Sequence, residues 1–289
     1  MGLSLIQNED GYYSVNPLPS IEQLSKYYQE YYSGQRDNQY QHEYTNEEIQ
    51  NKYVTFEETA YYAPYDGRKY LELGVGEGFM ISEFFQKGWD TKGIDYTNSA
   101  IIKFFPELIN KIVVGNVFEA VSAEIRAGNH YDYIVCNNVL EHVIDPEKLL
   151  KDIRDLLSDN GVARIVVPND GSWIQRDLIE RNLVPKEYYV HYPEHLHYFT
   201  FDSLKKIISK SGFEIVDILG DYPIDMFLYN DDSNYVADRT KGRNCHFARV
   251  QFELALRRQS LDKFLAFRRC CAAAGLGRDI ICYLKKGSK

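Results

Sequence analysis

No apolar run in the 289 residues approaches the roughly 20 needed to cross a bilayer. The opening residues, Met1 to Asp10, lack a basic segment followed by a long apolar one, so no signal peptide is expected. Gly2 lacks a Ser or Thr at position 6, where Ile6 stands, which excludes a good myristoylation match. Cysteine is scarce. The five thiols, Cys136, Cys245, Cys270, Cys271 and Cys282, are odd in number, and no two are at Cys-x-x-Cys spacing. That excludes a disulfide framework or a cysteine-rich zinc site and fits a reducing cytoplasm. Basic residues are sparse through the body of the chain. Residues 1–240 carry a net charge of −18, whereas residues 241–289 carry +9. An acidic body is a poor surface for nucleic acid, because phosphate contacts supply most of that affinity. The basic tail reads as a solvated helix face, a dimer contact, or a surface for a phosphorylated or nucleotide-linked substrate.

What is present is an alternation of strands and helices. Residues 1–66 are polar and tyrosine-rich, with helices over 21–32 and about 46–61. Ser20 is a candidate N-cap for the first. From residue 67 the pattern becomes strand 69–73, helix 79–87, strand 91–94, helix 99–105, strand 111–114 and strand 131–136. A helix from Pro146 follows, capped by Asp145 and expected to stop at Asn160-Gly161. Strand 162–167, helix 204–211 and strand 214–219 come next, and strand 279–284 closes the series. This is the signature of an α/β, Rossmann-like, doubly wound sheet. The expected division is an N-terminal helical lid at 1–66, a core at 67–220 and 279–289, and a helical insertion at 221–278.

The most informative stretch is Tyr70-Leu-Glu-Leu-Gly-Val-Gly-Glu-Gly78. Gly74, Gly76 and Gly78 fall in the turn between the first central strand and its helix. Without side chains there, a ligand can approach the backbone and the unpaired N–H groups of the helix start. Seventeen residues past Gly78, Asp95 closes the next strand, where a carboxylate can accept from both hydroxyls of a ribose. A dinucleotide site would place its third glycine at position 79, which is Phe79. The observed G-x-G-x-G, with Glu72 before it, resembles motif I of class I S-adenosylmethionine-dependent methyltransferases.

Further stretches resemble that family in order. Gly93-Ile-Asp95-Tyr96 looks like motif II, with the acid on ribose and Tyr96 flanking adenine. Gly115-Asn116-Val117 looks like motif III, although an acid is commoner at 116. Tyr131 to Pro146 looks like motif IV, in which the backbone around Asn137 and Asn138 meets the methionine part of the cofactor and the Leu-Glu141-His142 turn is frequent. The resemblance covers about 67–220 and 279–286. It is closest to members acting on small molecules in sugar, surface-glycan and secondary-metabolite pathways, which often carry segments similar to Tyr192-Pro-Glu194-His195-Leu-His197 and to the Tyr27-Tyr28…Tyr31-Tyr32 helix. The resemblance implies a seven-stranded sheet of order 3-2-1-4-5-7-6, with strand 7 antiparallel and the insertion lying between strands 6 and 7, over or beside the substrate mouth. It implies S-adenosylmethionine as cofactor. Some relatives begin with a zinc-binding cysteine cluster, which this chain lacks.

Methyl transfer from a sulfonium needs donor and acceptor held in line, and a base for the proton of a hydroxyl or ammonium. His142, His195 and His197 are the candidates, placed by the resemblance after strands 4 and 5. His195 and His197 are two apart and would point the same way in an extended loop. No third metal ligand is apparent beside them, so no metal is expected. Tyr28 and Tyr32 are candidate lid residues, Tyr192 a substrate contact, and Arg257 and Arg258, with Arg268 and Arg269, candidate phosphate ligands. Three readings follow. One is O-methylation of a small molecule such as a sugar or glycan precursor, and another is N-methylation of an amino sugar or other amine. The third is a non-catalytic cofactor-binding subunit of a partner enzyme.

Overall fold

Side chains alternate across the central strands, and that alternation divides the interior into two layers. A computed structural model describes residues 4–32 and 43–287, excluding the side chains of residues 25 and 28–32. In chain order the strands are β1 (Ser4–Gln7), β2 (Tyr13–Asn16), β3 (Lys69–Leu73), β4 (Asp90–Asp95), β5 (Ile112–Val114), β6 (Tyr131–Asn137), β7 (Leu157–Pro168), β8 (His197–Tyr198), β9 (Phe213–Gly220) and β10 (Asp279–Lys286). The helices are α1 (Ile21–Tyr32), α2 (Asn46–Tyr61), α3 (Phe79–Gln86), α4 (Ser99–Phe104), α5 (Val117–Arg126), α6 (Pro146–Leu156), α7 (Trp173–Glu180), α8 (Phe201–Lys210), α9 (Gly242–Gln259) and α10 (Leu261–Ala273).

Seven strands form one sheet in the order β5-β4-β3-β6-β7-β10-β9. β10 runs antiparallel to both neighbours, as the resemblance implied. Leu71 and Leu73 of β3 join Ile134 and Cys136 of β6 in a layer closed by α6 and α8. The alternate residues Tyr70, Tyr133 and Val135 face Phe56 of α2, Phe84 of α3 and Leu265 of α10.

Several elements differ from the sequence reading. Asn160-Gly161 does not end α6. The helix stops at Leu156, and the chain enters β7 at once. The pairing of β6 with β7 jumps from Tyr131 opposite Leu157 to Tyr133 opposite Val162, so Asn160-Gly161 lies in the extra residues of an irregular strand. Helices α5 and α7 carry short apolar faces that the strand pattern around them obscured. The N-terminal segment is not only helical. β1 and β2 form a hairpin that pairs with β8 in a separate three-stranded sheet. Among the described residues, no helix is long and apolar enough to cross a membrane.

The basic tail finds its partners inside the molecule. Arg268 of α10 contacts Glu58 of α2 at 2.5 Å and Glu253 of α9 at 2.7 Å, all three buried. Arg257 forms a two-pronged pair with Glu57, at 2.7 Å for each contact, and Arg269 holds Asp217. A buried arginine is tolerated only when its charge is matched, so +9 in the tail and −18 in the body attract across this interface. The insertion therefore divides. Its helices α9 and α10 pack beside α2, away from the cofactor cavity. Leu228, Tyr235 and Val236 from its first half pack on α7.

Candidate active site

The turn after β3 shows why glycine is required. Gly74 has φ +77°, and a Cβ there would lie 2.4 Å from Cγ2 of Val139. Gly78 has φ +86°, directly before α3, and a Cβ there would meet Ile101 at 2.9 Å. The Gly76 N–H donates to Oδ2 of Asp95 at 2.9 Å, and the Thr97 N–H donates to Oδ1 at 3.1 Å. Burial raises the Asp95 carboxyl above its ordinary value, and these backbone donors offset part of the rise. The turn and the acid are thus one hydrogen-bonded unit.

This unit forms one wall of a cavity of about 610 Å³ at the carboxyl ends of β3, β4 and β6. Gly74, Gly76, Asp95 and Tyr96 line one side, and Asn116 and Val117 a second. Asn137, Asn138, Val139 and His142 line a third. Asn138 sits at φ +51°, and its N–H donates to the Val166 carbonyl at 2.9 Å, which turns the chain sharply out of β6. Ile21 and Leu24 of α1 close the cavity from the N-terminal side. A cradle free of side chains, a two-oxygen acceptor at its rim and apolar walls fit the adenosine and methionine parts of S-adenosylmethionine.

Two expected cofactor residues stand differently. The Asn116 side chain caps α5, its Oδ1 accepting from the Phe118 N–H at 2.9 Å and the Glu119 N–H at 3.4 Å. An oxygen committed to a helix start is a weak acceptor for an adenine amino group. Glu72 points away from the cavity, into the layer beneath α3, where Tyr70 Oη donates to it at 2.9 Å. Burial pushes its carboxyl up to about 8. Between about pH 4.5 and 8 the unfolded chain has an ionised Glu72 while the folded chain keeps it protonated. Stability is lost through this window as pH rises. Glu72→Gln is expected to flatten that slope by up to about 1.4 kcal/mol per pH unit, which melting curves from pH 5 to 8 would show. An unchanged slope would refute the assignment.

Beside His142, which lines the cavity, lies a largely buried polar cluster. His142 Nδ1 bonds the Glu194 carbonyl at 2.6 Å, and burial pushes its ring down to about 4. The His195 ring lies 4.9 Å from it, edge to face. His195 Nδ1 is 3.8 Å from Oδ2 of Asp170, whose Oδ1 accepts from Arg278 at 2.5 Å. Burial raises the Asp170 carboxyl, but Arg278 and His195 pull it below its ordinary value. Glu141 completes the cluster, 1% exposed, and burial holds its carboxyl well above the usual range. The sequence reading found the histidines but missed Asp170, Arg278 and Glu141. Asp170 follows the last residues of β7, so its place at a strand's carboxyl end was the available signal.

His197 is not brought to this cluster. It lies in β8, buried, with Nδ1 2.8 Å from Ser14 Oγ and Nε2 2.9 Å from the Val143 carbonyl. The segment from His191 to His195 turns rather than extends, with the His195 N–H on the His191 carbonyl, so the two rings diverge. His197 instead ties the N-terminal hairpin to the loop after β6. Tyr192 is 46% exposed and does not line the cavity. The side chains of Tyr28 and Tyr32 lie outside the described residues; Ile21 and Leu24 are the lid contacts seen. Arg257 is held by Glu57, and neither it nor Arg258 reaches the cavity. The expected phosphate role is thus withdrawn for Arg257, Arg268 and Arg269, whose charges are matched by acids.

Sheet order, glycine turn and strand-end carboxylate together define a class I, S-adenosylmethionine-dependent methyltransferase. The chain belongs to the methyltransferase domain family, whose match spans residues 40–218. It is 30% identical over 99 residues to a ubiquinone biosynthesis O-methyltransferase of Paraburkholderia phymatum, covering 33% of this chain and 42% of that protein. The chain spans about half the length, or less, of the first curated relatives it matches, at 42%, 47% and 48%. Its fold is shared with a methyltransferase in complex with the Haloferax volcanii Trm112 activator, with TM-score 0.52, 12% identity and 83% and 90% of the two chains covered. It is shared also with the O-methyltransferase of a Brevibacillus brevis trans-AT PKS multienzyme, solved with S-adenosyl-L-homocysteine, at TM-score 0.50, 14% identity and 83% and 74% coverage.

Proposed function

We propose that the protein transfers a methyl group to a hydroxyl of a small polar molecule, with a sugar or glycan precursor as the acceptor class. The observation that carries the reading is the position of His142, which lines the cofactor cavity and has the His195 ring edge to face 4.9 Å away. The glycine turn and Asp95 stand at one end, and His142, Asp170 and His195 at the other. Bound S-adenosylmethionine supplies the methyl group as an electrophilic sulfonium. Asp95 accepts from the ribose hydroxyls, and the turn at Asn137-Asn138 fixes the far end of the cofactor. The Asp170 carboxylate, 3.8 Å from His195 Nδ1, favours the proton on that nitrogen, leaving Nε2 to take the acceptor's proton. His142, bonded to the Glu194 carbonyl, keeps the second imidazole beside it. The lid contacts from Ile21 and Leu24 exclude water, which favours the displacement. Imidazoles, carboxylates and Arg278 grouped beside the cavity suit an acceptor with several hydroxyls better than a long apolar one.

The Asp170 carboxylate, held below its ordinary range by Arg278 and His195, also favours a second reading, an amine acceptor drawn by its positive charge and methylated on nitrogen. Calorimetry with S-adenosylmethionine tests the cofactor assignment. Transfer of isotopically labelled methyl to panels of nucleotide sugars, free sugars and amino sugars, with mass spectrometry of the products, tests the acceptor. Saturable cofactor binding with labelled O-methyl sugar is expected. Labelled N-methyl products alone would replace the first reading by the second, and no cofactor binding would overturn both.

A further inference from the structure

Glu141 is 1% exposed, and neither of its carboxylate oxygens has a hydrogen-bond partner among the described residues. A carboxyl group stripped of water and left without donors is costly unless something else meets it. What it faces is His142, whose Nε2 lies 3.6 Å from Glu141 Oε1, and then His195. One ligand atom from each of Glu141, His142 and His195 can be chosen so that all three lie within 4.8 Å of one another. The third ligand that the sequence did not reveal is therefore adjacent in the chain to one of the two histidines.

The surroundings orient these groups as ligands. His142 Nδ1 is bonded to the Glu194 carbonyl, which fixes its proton there and presents the Nε2 lone pair toward Glu141. His195 Nδ1 is itself unpartnered at hydrogen-bond distance, with the Asp170 carboxylate 3.8 Å away. A carbonyl or a carboxylate behind a ring nitrogen is the usual outer support of a metal-bound imidazole.

We propose that Glu141, His142 and His195 bind a divalent first-row transition metal ion, and that its open positions take two neighbouring oxygens of the acceptor. Two imidazoles and a carboxylate form a mixed nitrogen and oxygen set suited to zinc, manganese, iron, cobalt or nickel rather than to calcium or magnesium. The inference rests on the reading that the acceptor binds beside this cluster. It narrows the acceptor class to molecules with two neighbouring oxygens able to chelate. With the metal bound, His195 would be a ligand rather than the proton acceptor, and the cation would make a coordinated hydroxyl more acidic, so that its proton would pass to bulk solvent as the acceptor enters.

The test uses the full chain, stripped with a chelator and titrated with Co²⁺, read by its visible d–d absorption and by calorimetry. One saturable equivalent per chain is expected. The affinity is expected to fall by more than about tenfold in Glu141→Gln and in His195→Ala, since each removes a direct ligand. His195→Ala serves if Glu141→Gln does not fold, because the His195 side chain is 14% exposed and that of Glu141 only 1%. S-adenosylmethionine binding, measured on the same samples, is expected to persist. Absence of saturable Co²⁺ binding, or undiminished binding in both variants, overturns the metal site while leaving the methyltransferase reading intact. Loss of cofactor binding in the wild-type chain overturns the methyltransferase reading itself.

Discussion

Replacing Asp95 with alanine is expected to weaken S-adenosylmethionine binding by about 100-fold or more. The carboxylate is hydrogen-bonded to the glycine turn through the Gly76 N–H, and it also accepts from the Thr97 N–H just past β4. Hydrogen bonds to a charged group contribute about 1.5–3 kcal/mol each, and a ribose offers two hydroxyl donors. The substitution also leaves the Gly76 and Thr97 donors without their acceptor, so the empty turn loosens. Asp95→Asn separates these effects. It keeps one oxygen acceptor but turns the other position into a donor, and an intermediate loss is expected. Isothermal titration of both variants, with melting curves to confirm folding, decides the matter. Cofactor affinity in Asp95→Ala within a few-fold of the wild type would remove the ribose assignment.

The second large effect is expected at His195. Alanine there should lower kcat by about 10²-fold or more, whether His195 takes the acceptor's proton itself or holds the proposed metal ion. Cofactor affinity should stay close to the wild type, because His195 does not line the cofactor cavity. His197→Ala is the internal control. That ring binds Ser14 and the Val143 carbonyl, so its loss should lower melting temperature and loosen the loop after β6 rather than abolish the chemical step. If His197→Ala lost turnover as severely as His195→Ala while remaining equally stable, the division of roles between the two histidines would be wrong.

The comparison of these two histidines shows where the sequence runs out. A spacing of two implies a shared face only if the backbone is extended. Tertiary contacts fold 191–195 into a turn and recruit 197 into a strand with the N-terminal hairpin, and no local signal near 197 announces a partner at Ser14, 183 residues away. Glu141 was legible as part of a Leu-Glu-His turn, yet its unpartnered carboxylate emerges only once β7, the 194 loop and the start of β10 close around it.

The arginines teach the same lesson from charge. A run of basic residues beside an acidic body can be read as a surface for a phosphate. In the fold, Arg257, Arg268 and Arg269 are matched by Glu57, Glu58, Glu253 and Asp217. Net charge fixes the attraction between two segments of chain, but only packing decides whether the charges meet each other or an outside ligand.

By itself the sequence determined the parts governed by short-range rules. These are the alternation of strand and helix, the glycine turn, the acid closing the next strand, and the capped helix after β6. Each depends on backbone sterics, side-chain periodicity or a donor a few residues away. Tertiary structure decided which histidine faces the acceptor, which arginines are spent inside the molecule, and that Glu141 stands beside two imidazoles. Those outcomes depend on contacts between distant segments, whose geometry is set by burying the two faces of the sheet together rather than by any one stretch of chain.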